Sequence, residues 1–164
     1  QGLEHRLEHV ATIHGVHFIN DSKSTTPDSC LYALAQTRGS LVVILGGRDK
    51  GLEFGPLINA LGDVRVKGVV LIGESRRQLR QQCNGHAIVL ENDTLEGAVE
   101  TAAGLAEPGT SVLFSPACAS FDMFRDFEER GRVFKGIVRE LGGGTRPPRP
   151  SQETGRGDTG HGTG

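Results

Sequence analysis

Residues 111–120 read Ser-Val-Leu-Phe-Ser-Pro-Ala-Cys-Ala-Ser, a short apolar run that passes directly into a loop of small side chains. The run Ser111–Phe114 is typical of a β-strand. The loop that follows carries almost no side-chain bulk, so a ligand can approach its backbone closely. Ser120 stands where the N-cap of a helix is expected. This stretch therefore predicts a strand, a binding loop and a helix in direct succession.

Two other stretches repeat this organisation. Val16–Ile19 runs into Asn-Asp-Ser-Lys-Ser-Thr-Thr-Pro (residues 20–27), and Leu41–Leu45 runs into Gly-Gly-Arg-Asp-Lys-Gly (residues 46–51). Since the carboxyl ends of parallel strands share one edge of a sheet, the first loop (20–27), the second loop (46–51) and the third loop (115–120) should converge on one cleft. We therefore predict a site for phosphates, carboxylates or both. The groups suited to anions are Lys23, Thr25, Thr26, Arg48, Lys50, Ser115 and Ser120.

Apolar strand-like runs alternate with helix-like segments along most of the chain. The predicted strands are Val10–Ile13, Val16–Ile19, Leu41–Leu45, Gly68–Ile72, Ala87–Leu90 and Thr110–Phe114. The predicted helices are Pro27–Gln36, Phe54–Leu61, Ser75–Cys83, Thr94–Leu105 and Ser120–Leu141. This alternation predicts an α/β fold: a Rossmann-like, doubly wound, mostly parallel sheet with helices on both faces, to which an N-terminal hairpin adds an antiparallel strand. We expect one domain over residues 1–141 and a disordered, Gly/Pro-rich tail over 142–164.

The composition agrees with one globular domain and argues against several kinds of partner. Of the 164 residues, 36% are hydrophobic and 23% are charged, the balance of an ordinary domain with a single core. A formal net charge of -2 gives no indication of nucleic-acid binding, and no apolar run is long enough to cross a bilayer. The three cysteines lack the spacing of a disulfide framework, which favours a cytoplasmic location. Because the chain begins with Gln1 rather than Met, we expect it to be part of a longer protein.

Each loop also has a simpler interpretation. Asp21 repels anions, so it is expected to accept hydrogen bonds from sugar hydroxyls or to orient a cation. The Ser, Thr and Asp side chains of the first loop serve equally well as caps and turn formers, and Arg48 and Lys50 as solvated charges. Cys118 has no His placed to activate it, and His5 and His9 lack a second pair of ligands, so we predict neither a nucleophilic cysteine nor a metal site. The sequence contains no G-x-x-x-x-G-K-[ST] phosphate loop, so another domain must hold the triphosphate if this one handles ATP.

Four blocks of sequence, taken in order, resemble the C-terminal domain of the Mur ligases. They are Gly-Leu-Glu-His-Arg-Leu-Glu (2–8), Asn-Asp-Ser-Lys-Ser-Thr (20–25), Leu-Gly-Gly-Arg-Asp-Lys-Gly (45–51) and Ser-Pro-Ala-Cys-Ala-Ser-Phe-Asp (115–122), extended by Phe124, Phe127, Arg130-Gly131 and Phe134. The resemblance runs from Gly2 to about Leu141. Its first loop lacks the Asp-Tyr-Ala-His-type motif of ligases that add other amino acids, and the Asp-Asn-Pro-Arg signature is absent, so the branch that adds D-glutamate is favoured. Glu4 departs from the family, which commonly has Pro there in the hinge between domains.

The resemblance implies a reaction as well as a fold. Such a ligase phosphorylates the alanyl carboxylate of UDP-N-acetylmuramoyl-L-alanine with ATP, and D-glutamate then attacks the acyl phosphate, a step of peptidoglycan synthesis. The domain alone would be inactive, and the Mg²⁺ required with ATP would be held mostly by the preceding central domain. The implied D-glutamate ligands are Thr25, Lys50, Ser120, Phe121 and Phe127. The implied ATP ligands are Arg6 and Asp21, with Lys23 adding positive potential.

Two alternatives stay open at this point. A freestanding, non-catalytic α/β domain that binds an acidic metabolite would need the same cationic loops, and a related ligase could add another amino acid. The coding sequence upstream of Gln1 separates the first alternative from a ligase, because a ligase requires a continuous reading frame that encodes Gly-Lys-Thr. Amino-acid-dependent phosphate release separates the second.

Overall fold

The strands and helices follow the predicted alternation. The computed structural model describes residues 3–48, 51–83 and 88–151. Its strands are β1 (Glu8–Ile13), β2 (Val16–Asn20), β3 (Leu41–Gly46), β4 (Val66–Ile72), β5 (Val89–Glu91) and β6 (Ser111–Phe114). Its helices are α1 (Pro27–Gln36), α2 (Gly55–Leu61), α3 (Arg76–Gln82), α4 (Leu95–Leu105) and α5 (Phe127–Leu141).

The six strands form one sheet in the order β1-β2-β6-β3-β4-β5. The neighbouring pairs β2–β6, β6–β3, β3–β4 and β4–β5 are parallel. The pair β1–β2 is antiparallel. The predicted fold class is therefore confirmed, including the antiparallel strand that the N-terminal hairpin adds. Because β6 lies between β2 and β3, the three loops that leave these strands start from adjacent positions on one edge.

Strand β3 shows why its sequence is apolar throughout. All six of its residues are buried, and alternate side chains enter two different cores. Val42 and Ile44 pack with residues of α4 and α5, whereas Val43 and Leu45 pack with residues of α1, α2 and α3. A strand covered by helices on both faces needs no polar alternation. Strand β3 is thus packed on both faces, and the second loop starts from a firmly held position at its end.

Helix α5 begins later than the sequence predicts. The expected N-cap was Ser120, but the carbonyl of Ser120 accepts hydrogen bonds from the N–H groups of Met123 and Phe124, at 3.0 and 2.8 Å, in a turn. The helix starts at Phe127, where the side chain of Asp126 accepts the Glu129 N–H at 2.8 Å. The prediction was wrong because Asp126 is the better-placed cap. The cap expected at Thr26 is confirmed, and Thr94 caps α4 in the same way.

Arg146, Pro148 and Pro150, in the segment expected to be disordered, lie against the end of α4, whereas residues 152–164 are outside the described part. A Cβ on Gly104 would overlap the carbonyl of Pro148, so this glycine makes room for the segment. Helix α4 has no basic residue in its last turn. Arg146 supplies one from outside, since its Nη2 donates to the Ala106 carbonyl at 2.6 Å. A cation at this position stabilises the negative end of the helix dipole.

Replacing Arg146 with glutamine should lower the free energy of unfolding by about 1 kcal/mol, since a charged hydrogen bond to a helix end is lost. Urea denaturation of the chain measures this. Arg149→Gln is the matched control, because Arg149 pairs with the exposed Glu107, at 3.8 Å, as Arg146 does at 3.7 Å. An exposed ion pair contributes little, so the control should change stability by less than about 0.5 kcal/mol. Equal losses in the two variants would show that the bond to the helix end contributes nothing.

Candidate functional site

The three predicted binding loops do lie together, and they are joined by backbone hydrogen bonds. The N–H of Ala117 in the third loop donates to the Ser24 carbonyl in the first loop at 2.9 Å. The N–H of Arg48 in the second loop donates to the Ala119 carbonyl in the third loop, also at 2.9 Å. The third loop is thus bonded to both of the other loops, as expected from the position of β6 between β2 and β3. Displacement of one loop must therefore strain the other two.

Asp21 connects the first and third loops to the start of the chain. Its Oδ1 accepts the Leu7 N–H at 3.1 Å, and its Oδ2 accepts the hydroxyls of Ser115, at 2.8 Å, and Ser24, at 2.5 Å. Burial raises the pKa of the Asp21 carboxyl, and these hydrogen bonds oppose that rise. A carboxylate has about four acceptor positions. Asp21 therefore organises the site and retains capacity for a further donor.

A cavity of about 400 Å³ lies beside Asp21. Arg6, Lys23 and Tyr32 are among the residues that line it. Its volume is within the range of small-molecule sites. The structure thus brings together Arg6, Asp21 and Lys23, the three residues for which the sequence implied contact with, or positive potential near, a nucleotide.

The residues expected to bind an amino acid are distributed over the first and third loops and the start of α5. Thr25 is partly buried, Ser120 is buried and Phe121 is 56% exposed. The Phe127 ring is partly buried and packs edge-on against the buried His5 ring, with centroids 6.2 Å apart. Lys50, the expected cationic ligand, lies outside the described residues. Within the second loop, residues 46–48 and Gly51 are described.

Arg130 has a role that sequence reasoning missed. It is 1% exposed, and its guanidinium donates to the Ser22 hydroxyl at 3.0 Å, to the Ser22 carbonyl at 2.8 Å and to the Cys118 carbonyl at 3.0 Å. It therefore ties α5 to both the first and the third loop. Burial lowers the pKa of Arg130 to about 10, so the side chain stays charged at neutral pH. Its signal in the sequence is a charge between Phe127 and Phe134, within the apolar face of the helix.

A fourth loop, Gly73–Ser75 at the end of β4, joins the same edge and was not predicted. The Ser75 N–H donates to the Gly47 carbonyl at 3.0 Å, and the Gly47 N–H donates to the Ser75 hydroxyl at 3.2 Å. The Glu74 N–H donates to Asp122 Oδ2 at 2.9 Å, and the Glu74 carboxylate pairs with Arg48 at 3.4 Å. Strand β4 is parallel to β3 and lies next to it, so its carboxyl end had to reach this edge. That adjacency was the available signal.

The described residues also show how the metal-ligating side chains, the cysteines and the apolar helices are arranged. Residues 3–48, 51–83 and 88–151 contain no group of three or more His, Cys, Asp or Glu side chains arranged to hold a metal ion. Cys30, Cys83 and Cys118 are buried, and burial raises the pKa of the Cys30 thiol to about 12. Over the same residues, the structure contains no helix that is long and apolar enough to span a membrane.

Comparison with known proteins gives a consistent result. The chain matches the family described as "Mur ligase, glutamate ligase domain" over residues 5–118. It is 48% identical over 140 residues to the UDP-N-acetylmuramoylalanine–D-glutamate ligase of Chlorobaculum tepidum, covering 85% of this chain and 30% of that protein. It is 46% identical over 145 residues to the ligase of the same name from a Thermoanaerobacter species, covering 86% and 32%. The chain thus spans about a third of the length of these relatives.

Solved structures agree on the fold. The MurF ligase of Thermotoga maritima in complex with ADP superposes with a TM-score of 0.58 at 18% identity, over 85% of this chain and 32% of that one. The UDP-N-acetylmuramate–alanine ligase MurC of the same organism gives 0.56 at 18% identity, over 85% and 31%. The family match covers more than half of the chain, and the sheet, its loops and its helices have the expected arrangement. The chain therefore belongs to the Mur ligase family and carries its glutamate ligase domain.

Proposed function

We propose that this chain is the amino-acid-binding domain of a cytoplasmic, ATP-dependent ligase that adds D-glutamate to UDP-N-acetylmuramoyl-L-alanine in peptidoglycan synthesis. The observation that carries this proposal is the meeting of three polar loops at one sheet edge, in a chain whose relatives bear the name of that ligase. The chain spans about a third of those relatives, so the nucleotide-sugar site and the triphosphate site would belong to preceding domains. Any Mg²⁺ that accompanies ATP would be held mostly there as well, as the family resemblance implies.

The physical problem in such a reaction is the approach of two anions. D-Glutamate carries two carboxylates, and it must reach an acyl phosphate that is also negative. Fixed cations and N–H donors lower this cost, and a fixed orientation makes the attack effectively unimolecular. The amine forms the new amide bond and gives up its proton, while phosphate leaves from the tetrahedral intermediate. This domain would contribute by holding the amino acid still.

We assign the amino-acid contacts to residues on the converging loops and the start of α5. Lys50 would pair with one carboxylate of D-glutamate, and Thr25 would donate a hydrogen bond to a carboxylate. Ser120 and the Phe121 backbone would hold the other carboxylate, with Phe127 packing against the ligand. The assignment is supported by the bond between the first and third loops and by the Arg48 N–H bond that fixes the second loop beside Ala119.

The cavity beside Asp21 suits the nucleotide. Arg6 would reach the phosphates, Asp21 would accept hydrogen bonds from the ribose, and Lys23 would add positive potential. The segment that carries Arg6 is held in place on both sides, since the Lys23 N–H donates to the His5 carbonyl at 3.0 Å and the Leu7 N–H donates to Asp21. His5 and Leu7 have left-handed backbone angles, with φ of 65° and 43°. This tight path directs Arg6 toward the cavity it lines.

Replacing Lys50 with alanine in the complete enzyme should raise the KM for D-glutamate by a factor of about 10 to 100. A charge-assisted hydrogen bond contributes about 1.5–3 kcal/mol, which corresponds to that range. The KM for ATP should change by less than about twofold, because the proposed role of Lys50 includes no contact with the nucleotide. Phosphate release, measured as a function of D-glutamate and of ATP, gives both constants.

Two controls accompany this test. Lys67→Ala removes an exposed lysine of β4 whose ammonium, among the described residues, donates to the Val64 carbonyl. This variant should leave the KM for D-glutamate and the KM for ATP unchanged. L-Glutamate in place of D-glutamate should support little phosphate release. Equal losses for D-glutamate and ATP in Lys50→Ala would refute the role of Lys50. Phosphate release that depends on a different amino acid would assign the chain to a related ligase, and none at all would favour a binding domain without catalysis.

A further inference from the structure

We propose that Asp122 is a positioning residue that sets the spacing between the two carboxylate-binding groups of the site. The inference rests on the proposed function, because it concerns the same amino acid. Asp122 lies two residues beyond Ser120. Its Oδ2 accepts the Glu74 N–H at 2.9 Å, so it joins the third loop to the fourth. Nothing in the family resemblance or in the comparisons assigns it a role.

The Asp122 carboxylate is only partly satisfied by hydrogen bonds. Its Oδ1 is buried and has no hydrogen-bond partner among the described residues. Burying an unpaired carboxylate oxygen costs free energy. Within the described part of the chain, the directional contact of the carboxylate is the hydrogen bond from the Glu74 amide.

The fourth loop is wedged between its neighbours at this point. Gly73 has φ of +76°, and a Cβ there would lie 2.7 Å from Asp122 Oδ2 and 2.6 Å from Gly47 Cα. Glycine is thus required for the second, third and fourth loops to approach so closely. A small displacement of Asp122 must move the fourth loop, since no free space separates them.

From Glu74 the connection continues into the second loop. The Glu74 carboxylate pairs with Arg48 at 3.4 Å, and the adjacent Ser75 exchanges hydrogen bonds with Gly47. Arg48 precedes Lys50 by two residues in the chain. Asp122 therefore holds Ser120 through its own backbone and, through the fourth loop, holds Gly47 and Arg48 of the second loop, the loop to which the proposed ligand Lys50 belongs. The spacing of Ser120 and Lys50 must match the two carboxylates of one amino acid.

The nucleotide cavity gives the proposal its selectivity. Its lining residues belong to the segment before β1, the first loop and α1, and Asp122 is not among them. Loss of the Asp122 contact should therefore weaken D-glutamate use and spare ATP. A residue that merely stabilised the fold would affect both substrates together.

Three variants of the complete enzyme test this. Asp122→Ala should raise the KM for D-glutamate at least about fivefold, with the KM for ATP changed less than about twofold, as expected for loss of one charge-assisted bond. Asp122→Asn keeps an oxygen acceptor for the Glu74 N–H and removes only the charge, so it should stay within about threefold of the parent. Asp63→Ala is the control, because Asp63 is exposed and precedes β4, at the other end of that strand from the fourth loop.

Several outcomes overturn the proposal. They are an unchanged KM for D-glutamate in Asp122→Ala, a parallel rise for ATP, and an Asp122→Asn variant as impaired as the alanine. If the alanine variant does not fold, Asp122→Glu keeps the charge and moves the oxygens by one methylene, and it should show the same selective rise. Parent-like kinetics in that variant would equally overturn it. Lys50→Ala distinguishes failure of the proposed function from failure of the positioning role. An unchanged KM for D-glutamate in Lys50→Ala defeats the proposed function. A raised KM in Lys50→Ala together with an unchanged KM in Asp122→Ala defeats only the positioning role.

Discussion

Replacing Arg130 with methionine should lower the free energy of unfolding of the chain by about 3 kcal/mol, a large part of the 5–15 kcal/mol of a typical domain. Methionine fills much of the space of the arginine stem but donates no hydrogen bond. The Ser22 hydroxyl, the Ser22 carbonyl and the Cys118 carbonyl would each lose a charged donor. The cost of losing three hydrogen bonds to buried acceptors exceeds what is regained by no longer burying a guanidinium, whose unfavourable burial the lowered pKa reflects.

Urea denaturation measures the effect, and the same helix provides a control. Arg132 lies two residues along α5 and is exposed, so Arg132→Met should change stability by less than about 0.5 kcal/mol. Arg130→Lys should resemble the methionine variant, because one ammonium cannot reproduce the fork of the guanidinium. If Arg130→Met were as stable as Arg132→Met, the bonds to the first and third loops would contribute no net stability.

Arg130 also illustrates what the sequence could not reveal. Its acceptors include Ser22, which is 108 positions away in the chain, and such a contact leaves no trace in local periodicity. The same limit applies to the fourth loop, where Asp122 bonds to an amide 48 positions away. In contrast, the continuous apolar run of β3 and the threonine cap of α1 are local signals, and the predictions made from them are confirmed.

The late start of α5 has a different cause. Phe121 and Phe124 continue the helical spacing of apolar residues toward the N-terminus, so periodicity alone extends the helix to Ser120. The backbone instead turns at Ser120, and two N–H groups bond to its carbonyl. Here the competition between two acceptable caps was decided by tertiary contacts, since the turn is what lets Asp122 reach the fourth loop. The roles of the individual ligand residues remain predictions, Lys50 among them.

The largest loss of stability is expected where the backbone itself leaves no room. Gly46 ends β3 with φ of +123°, and a Cβ there would overlap the carbonyl of Ile72, its partner on β4, with the Ile72 nitrogen 3.0 Å away. Backbone atoms of a central sheet cannot move aside as a flexible side chain does. Gly46→Ala must therefore either separate two paired strands or shift the second loop, and both change the edge of the sheet from which that loop leaves.

Gly39→Ala separates this collision from ordinary backbone strain. Gly39 also has a left-handed backbone, with φ of +77°, but nothing lies within 4 Å of the position of its Cβ. It should cost about 1–2 kcal/mol, the usual cost of a left-handed residue with a side chain. Gly46→Ala should cost at least about 2 kcal/mol more than Gly39→Ala, measured by urea denaturation, because overpacking adds to the strain. Equal costs would mean that the edge can rearrange, and the rigid spacing on which we base carboxylate recognition would then lose its physical basis.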